Sequence, residues 1–289
     1  MSLHIGGSWD PLARIKELVN NLRTLSSIPD GGTASFSSID FIRPVSILPI
    51  ASYAFDHNIT IQNANSYLDS IEFPEGTNTS EFNKIGQTYF PITKADLKSV
   101  SRDGREEKLR FLSDQYPKLL RRNIDDQEFL DRVGNNVFYL LISEMVDNIM
   151  EHSEADLAYV FSQFWPANNS CEICLLDNGI GIYQSLKNAG RSVTGDMDAL
   201  EKVIRQHLSA KDEFGSQKRG TGIKNTINLL SNNELNGYFC VISGNAGYFI
   251  DNNGRNHFIN LTQVSWNGTI ICMGFQKPPK HVDIYEYIR

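Results

Sequence analysis

Val133, Val137, Leu140, Leu141, Met145 and Ile149 recur at helical spacing, and beside this apolar stripe Glu144, Asn148 and His152 stand four residues apart. The spacing predicts a long amphipathic helix with a carboxylate, an amide and an imidazole in a row along one face, about one turn apart. Such a row can converge on one ligand. By itself it is more often the pattern of a helix's solvated side.

The apolar run Ile173-Cys174-Leu175-Leu176 then reads as a strand that ends on Asp177-Asn178-Gly179-Ile180-Gly181. An acid at a strand end can accept hydrogen bonds from an amine, and glycines two apart let the backbone approach a ligand closely. Alone, Asp-Asn-Gly is also a hairpin turn. Further on, Lys218-Arg219-Gly220-Thr221-Gly222-Ile223 opens a helix predicted over residues 224–230. Free amides at a helix N-terminus bind anions, glycines admit a phosphate, and the two cations add charge. No Gly-Lys-Ser or Gly-Lys-Thr follows at P-loop spacing, and no strand precedes these glycines as a dinucleotide fingerprint requires.

In this order, Glu-x-x-x-Asn-x-x-x-His on a helix, Asp-x-Gly-x-Gly after a strand, Gly-Thr-Gly before a helix and Gly268-Thr269 before a closing strand resemble the ATP-binding domain of the gyrase, histidine-kinase and MutL (GHKL) superfamily, the Bergerat fold. The run Ser143-Glu144-Met145-Val146-Asp147-Asn148 through His152-Ser153 is most similar to the anti-sigma-factor serine kinase branch; many histidine kinases carry asparagine where this chain has Glu144. The resemblance implies ATP and Mg²⁺ as cofactors. Asn148 would coordinate the magnesium bridging the phosphates, Asp177 would accept the exocyclic amine of adenine, and Glu144 would be the general base. Gly179 and Gly181 would pass close to the nucleoside, Gly220, Thr221 and Gly222 would cradle the phosphates, and Thr269 would reach adenine through water. For His152 the alternatives are a phosphate contact and a structural helix end. Between Gly181 and Gly220 lies the expected lid, with an amphipathic helix over residues 197–208 and a polar stretch after it. There Lys211, Lys218 and Arg219 are either candidates to reach the γ-phosphate or solvated surface charges.

In the N-terminal half, Leu12, Ile15, Leu18, Val19 and Leu22 predict a helix over residues 11–25 with Asp10 as its N-cap. A strand over 34–41, a helix over 47–55 and a strand over 59–62 follow, the spacing of a small α/β unit. With Ile39-Asp40-Phe41-Ile42-Arg43-Pro44, Val45-Ser46-Ile47-Leu48 and Ser66-Tyr67-Leu68-Asp69-Ser70-Ile71-Glu72-Phe73, it resembles STAS-like domains, the family that supplies anti-anti-sigma factors, partners and substrates of the kinases just named. Pro44 stands where that family's phosphoacceptor serine aligns, so the resemblance implies a docking or sensing domain. The expected division is a helix and linker over 1–30, a STAS-like domain over 31–95, a charged helical connector over 96–130 and a GHKL-type domain over 131–289. The expected fold class is α+β, a Bergerat-type sandwich with helices on one face of a mixed sheet, preceded by the small STAS-like domain.

Composition narrows the function classes. The chain's 289 residues suit roughly two domains. With 34 acidic against 27 basic residues, the net charge of -7 gives no field to gather nucleic acid or an anionic membrane. No apolar run is long enough for a membrane span, and residues 1–10 lack a leader pattern, so neither membrane nor secretion is expected and a cytoplasmic location is. Of four cysteines, Cys171 and Cys174 fall on opposite faces of a predicted strand, which favours buried small hydrophobes over a zinc or redox pair. The reading is a regulatory protein that binds Mg·ATP and either hydrolyses it or phosphorylates a partner protein on serine or threonine, the partner belonging to a sigma-factor or STAS pathway. Two alternatives stand beside it: a binding module that uses ATP without turnover, and an ATP-driven dimer clamp, disfavoured because no transducer domain follows Phe275. Homo-oligomerisation is left open.

Overall fold

The computed structural model describes residues 1–6, 10–39, 42–82, 85–125, 127, 130, 139–206, 208–210, 222–230, 237–251, 253–262 and 264–276. Asp10 accepts a hydrogen bond from the Leu12 amide at 3.2 Å and so caps helix α1 (Pro11–Ser26), whose stripe Ile15, Leu18, Leu22 and Leu25 is buried. Strand β1 (Ser2–Ile5) precedes it, too short for local patterning to announce. It pairs in parallel with β2 (Thr33–Ile39), which pairs in parallel with β3 (Thr60–Gln62). Between β2 and β3 runs α2 (Pro44–Asp56), starting earlier than the apolar run suggests. Pro44 occupies its first turn, where a missing N–H costs no helical bond. A short helix α3 (Ser66–Ser70), capped by Asn65, follows.

The remaining strands form one eight-stranded sheet in the order β10-β9-β8-β11-β7-β6-β5-β4. These are β4 (Thr77–Asn78), β5 (Tyr89–Asp96), β6 (Leu157–Trp165), β7 (Ser170–Asp177), β8 (Tyr238–Gly244), β9 (Ala246–Ile250), β10 (Asn256–Asn260) and β11 (Trp266–Gln276). Every neighbouring pair is antiparallel except β4 with β5. The class is α+β.

Two features differ from the sequence expectation. Residues 89–95, expected from the sequence to end the STAS-like domain, belong with Asp96 to β5, which pairs antiparallel with β6 of the C-terminal half. The large sheet also carries helices on both faces rather than one. Toward one face lie α4 (Arg102–Asn123), α5 (Tyr139–His152), α6 (Gly181–Asn188), α7 (Asp196–Gln206) and α8 (Gly222–Leu230); toward the other lie α1 and α2. This explains why β7 is buried at all of its positions. Cys171, Ile173 and Leu175 enter the core beneath α4 and α5, whereas Cys174 and Leu176 enter the core shared with α1 and α2. Cys171 and Cys174 therefore do face opposite sides of the sheet, both as free, buried thiols.

Between the sheet and the N-terminal helices lies a buried ion cluster. Glu172, 1% exposed, holds Arg14 of α1 at 2.7 Å and Arg43, the residue before α2, at 3.0 Å. Its second oxygen accepts from the Val45 amide at 3.0 Å. Burial alone would raise the Glu172 carboxyl, but the two guanidinium groups hold it below the usual carboxylate range. Among the described residues, no helix is long and apolar enough to cross a membrane.

Candidate functional site

On the opposite face of the sheet from Glu172, a cavity opens between α5, α6 and the ends of β7 and β11. Its walls are largely apolar, with Met145, Ile149, Ile182, Leu186, Val241 and Ile271 among them; Asn148, Asp177, Thr269 and three serines supply the polar points. Predominantly apolar walls with a few placed polar groups are the ordinary make-up of a small-molecule site.

Asp177 is the last residue of β7 and is 2% exposed. Its Oδ1 accepts from the Gly179 amide at 2.9 Å. Burial pushes the Asp177 carboxyl up to about 7, against the lowering effect of the Gly179 and Thr269 amides. A buried carboxyl on the cavity lining with so few partners is suited to accept from a ligand's amine.

Thr269 lies directly opposite Asp177 in the β7–β11 ladder, and both line the cavity. The β11 backbone before Thr269 is closely fitted: Gly268 has φ +94°, and a Cβ there would fall 2.1 Å from the Asp177 carbonyl oxygen. Gly179 is as constrained, since its Cβ would come 2.0 Å from the Ser153 carbonyl oxygen. That oxygen accepts from the Ile180 amide at 2.7 Å, which ties the glycine turn after Asp177 to the end of α5. Asn148 and Asp177 are thereby held to one cavity although they come from separate elements.

Of the residues singled out in the sequence, Asn148, Asp177, Gly181 and Thr269 line the cavity, and Gly179 forms the turn beside it. Glu144 and His152 stand one helical turn before and after Asn148 on α5. Gly222 begins α8, whose Ile223 lines the cavity. Lys211, Lys218, Arg219, Gly220 and Thr221 lie outside the described residues. The chain leading toward them, Leu208, Ser209 and Ala210, forms part of the wall, and the Ser209 carbonyl accepts from Arg191 Nε at 3.0 Å.

The sequence assigns no role to Ser153, quoted only as the end of the helix motif, and does not single out Ser243 or Trp266. Trp266 Nε1 donates to the Asp177 carbonyl at 3.3 Å, and Ser153 Oγ donates to the Ile149 carbonyl at 2.6 Å. All three sit at or near the end of a helix or a strand, where backbone groups need partners. No protein-family model matches the chain, and no curated protein matches it significantly.

Proposed function

We propose that this protein is a regulatory ATP-binding protein of GHKL type, working in the cytoplasm on a protein partner. One observation carries the reading: Asn148, Asp177, Gly181 and Thr269, drawn from α5, the β7 end, the start of α6 and β11, line a single cavity. The chain order supports it as well, with the polar-row helix, two antiparallel strands, the glycine turn and a closing strand inserted beside β7.

The donor set suits the ligand. Asp177 is a buried carboxyl that could accept from the adenine amine, Ile149, Ile182 and Ile271 give the cavity apolar walls that would suit a planar ring, and the Asn148 amide oxygen is a hard ligand acceptable to Mg²⁺. Bound ATP supplies the transferable phosphoryl group. On this reading Asp177 would select the base, Thr269 would support it, Asn148 would hold the metal, and Glu144, one turn away on the same helix, would take the proton from water or a partner's hydroxyl. The N-terminal half, packed on the back of the same sheet, is the docking or sensing element.

Titration calorimetry of the full chain with ATP, with and without Mg²⁺, tests the reading. Binding that tightens with Mg²⁺ supports it, and no heat of binding with any adenine nucleotide rejects it. Incubation of Mg·ATP with the chain, alone and with STAS-domain proteins, then separates hydrolysis, phosphoryl transfer and binding without turnover.

A further inference from the structure

Helix α6 begins without a side-chain cap, because its N-cap residue is Ile180. The first amides of a helix have no acceptor within it and need one from elsewhere. For the Ile182 amide that acceptor is Ser243 Oγ at 2.9 Å, on β8. The same hydroxyl donates to the Gly268 carbonyl at 2.9 Å and is 3% exposed.

Gly268 belongs to an irregularity in the ladder. Trp266 pairs with Gly244 and Thr269 with Ser243, so two β11 residues, Asn267 and Gly268, are set against none on β8. A bulge of this kind leaves backbone groups outside the ladder. Ser243 serves one of them while capping α6, and both attached segments line the cavity, through Gly181, Ile182 and Ser185 on one side and Thr269 on the other.

We infer that Ser243 is a positioning residue for the nucleotide, a single hydroxyl that fixes the start of α6 and the Gly268 bulge of β11 relative to each other beside the proposed base site. The inference rests on the nucleotide reading above, and it adds a residue that touches neither base nor phosphate. Replacing the hydroxyl by hydrogen would strand the Ile182 amide and the Gly268 carbonyl together, and the two walls would lose their common reference.

The test compares the wild-type chain with Ser243→Ala and Ser243→Thr, reading Mg·ATP affinity by calorimetry and amide exchange at Ile182 by NMR. Ser243→Ala is expected to weaken ATP by about tenfold, the equivalent of roughly one hydrogen bond, and to speed Ile182 exchange by a similar factor. Ser243→Thr, which keeps the hydroxyl, is expected to restore both. Faster exchange with unchanged affinity would show a purely structural hydroxyl and overturn the positioning role. Should Ser243→Ala not fold, the wild type still decides: an unprotected Ile182 amide overturns the cap. Wild-type chain that binds no ATP overturns the nucleotide reading and the positioning role with it, whereas wild-type binding matched by Ser243→Ala overturns the positioning role alone.

Discussion

Glu172 and Asp177 lie on the same strand, an odd number of residues apart, and therefore face opposite layers: Glu172 the N-terminal helices, Asp177 the cavity. One strand thus carries both the anchor of the N-terminal half and the floor of the candidate site.

The anchor is a charge cluster in which one carboxylate serves two guanidinium groups. Glu172→Gln leaves Arg14 and Arg43 buried beside each other without their shared counter-ion, and we expect a loss of about 3–5 kcal/mol in urea unfolding. Arg14→Met keeps the Arg43–Glu172 pair and should cost clearly less. Equal losses in the two variants would contradict the charge account. Because the Glu172 carboxyl is held low, its contribution is present above its unfolded value of 4.5 and fades as pH falls below it.

Asp177 works in the opposite sense. Its folded carboxyl, raised by burial, keeps its proton up to about 7, against 3.8 when unfolded, so between these values the native chain binds more protons. Stability of the ligand-free chain should accordingly fall as pH rises through that window, by at most about 4 kcal/mol from this one group. Asp177→Asn removes the ionisation and should flatten that part of the profile. Parallel wild-type and variant unfolding curves from pH 4.5 to 7.5 would show that Asp177 is not the buried acid described.

Much of the site was legible in the sequence because its signals are local. Asn148 on a helix, a strand stopping at Asp177 and a glycine turn each need only a short window, as does Asp10 capping α1. What escaped depends on distant pairing. Tyr89–Asp96 is interrupted by Pro91, and its antiparallel partner strand begins at Leu157, so nothing local announced that β5 joins the large sheet. The Glu172 cluster escaped for the same reason: Arg14 and Arg43 look like surface charges until the fold brings them to a carboxylate far along the chain. Ser243 sits in an apolar strand with no motif around it, and its two partners come from other elements.

The glycine turn gives a steric test. Gly179→Ala would place a methyl 2.0 Å from the Ser153 carbonyl, so the turn must open; we expect a loss of about 1–3 kcal/mol, or more, and weaker nucleotide binding. At Gly195 a methyl meets nothing within 4 Å, and Gly195→Ala should leave both properties near wild type. Thermal unfolding and ATP titration of the two variants check this, and a harmless Gly179→Ala would contradict the tight turn.

On the proposed reading, Asn148 would serve binding and Glu144 chemistry, one turn apart on α5. Asn148→Ala should abolish the Mg²⁺-dependent tightening of ATP, while Glu144→Ala should keep nucleotide bound and cut any turnover by about a hundredfold, the usual scale for a lost general base. Steady-state hydrolysis together with equilibrium binding reads the two separately. A Glu144→Ala chain turning over ATP at the wild-type rate would assign that residue a structural role.

The most direct test of the account is base discrimination at Asp177. Mg·ATP and Mg·GTP are titrated into the full chain and into Asp177→Asn at pH 8, where the wild-type carboxylate is ionised and can accept from adenine's amine but faces the carbonyl oxygen of guanine. The account expects ATP to bind in preference to GTP, and Asp177→Asn to weaken ATP by about 1.5–3 kcal/mol, the worth of a hydrogen bond to a charged group. Equal affinity for the two nucleotides, or an Asp177→Asn chain that binds ATP as tightly as the wild type, would contradict it.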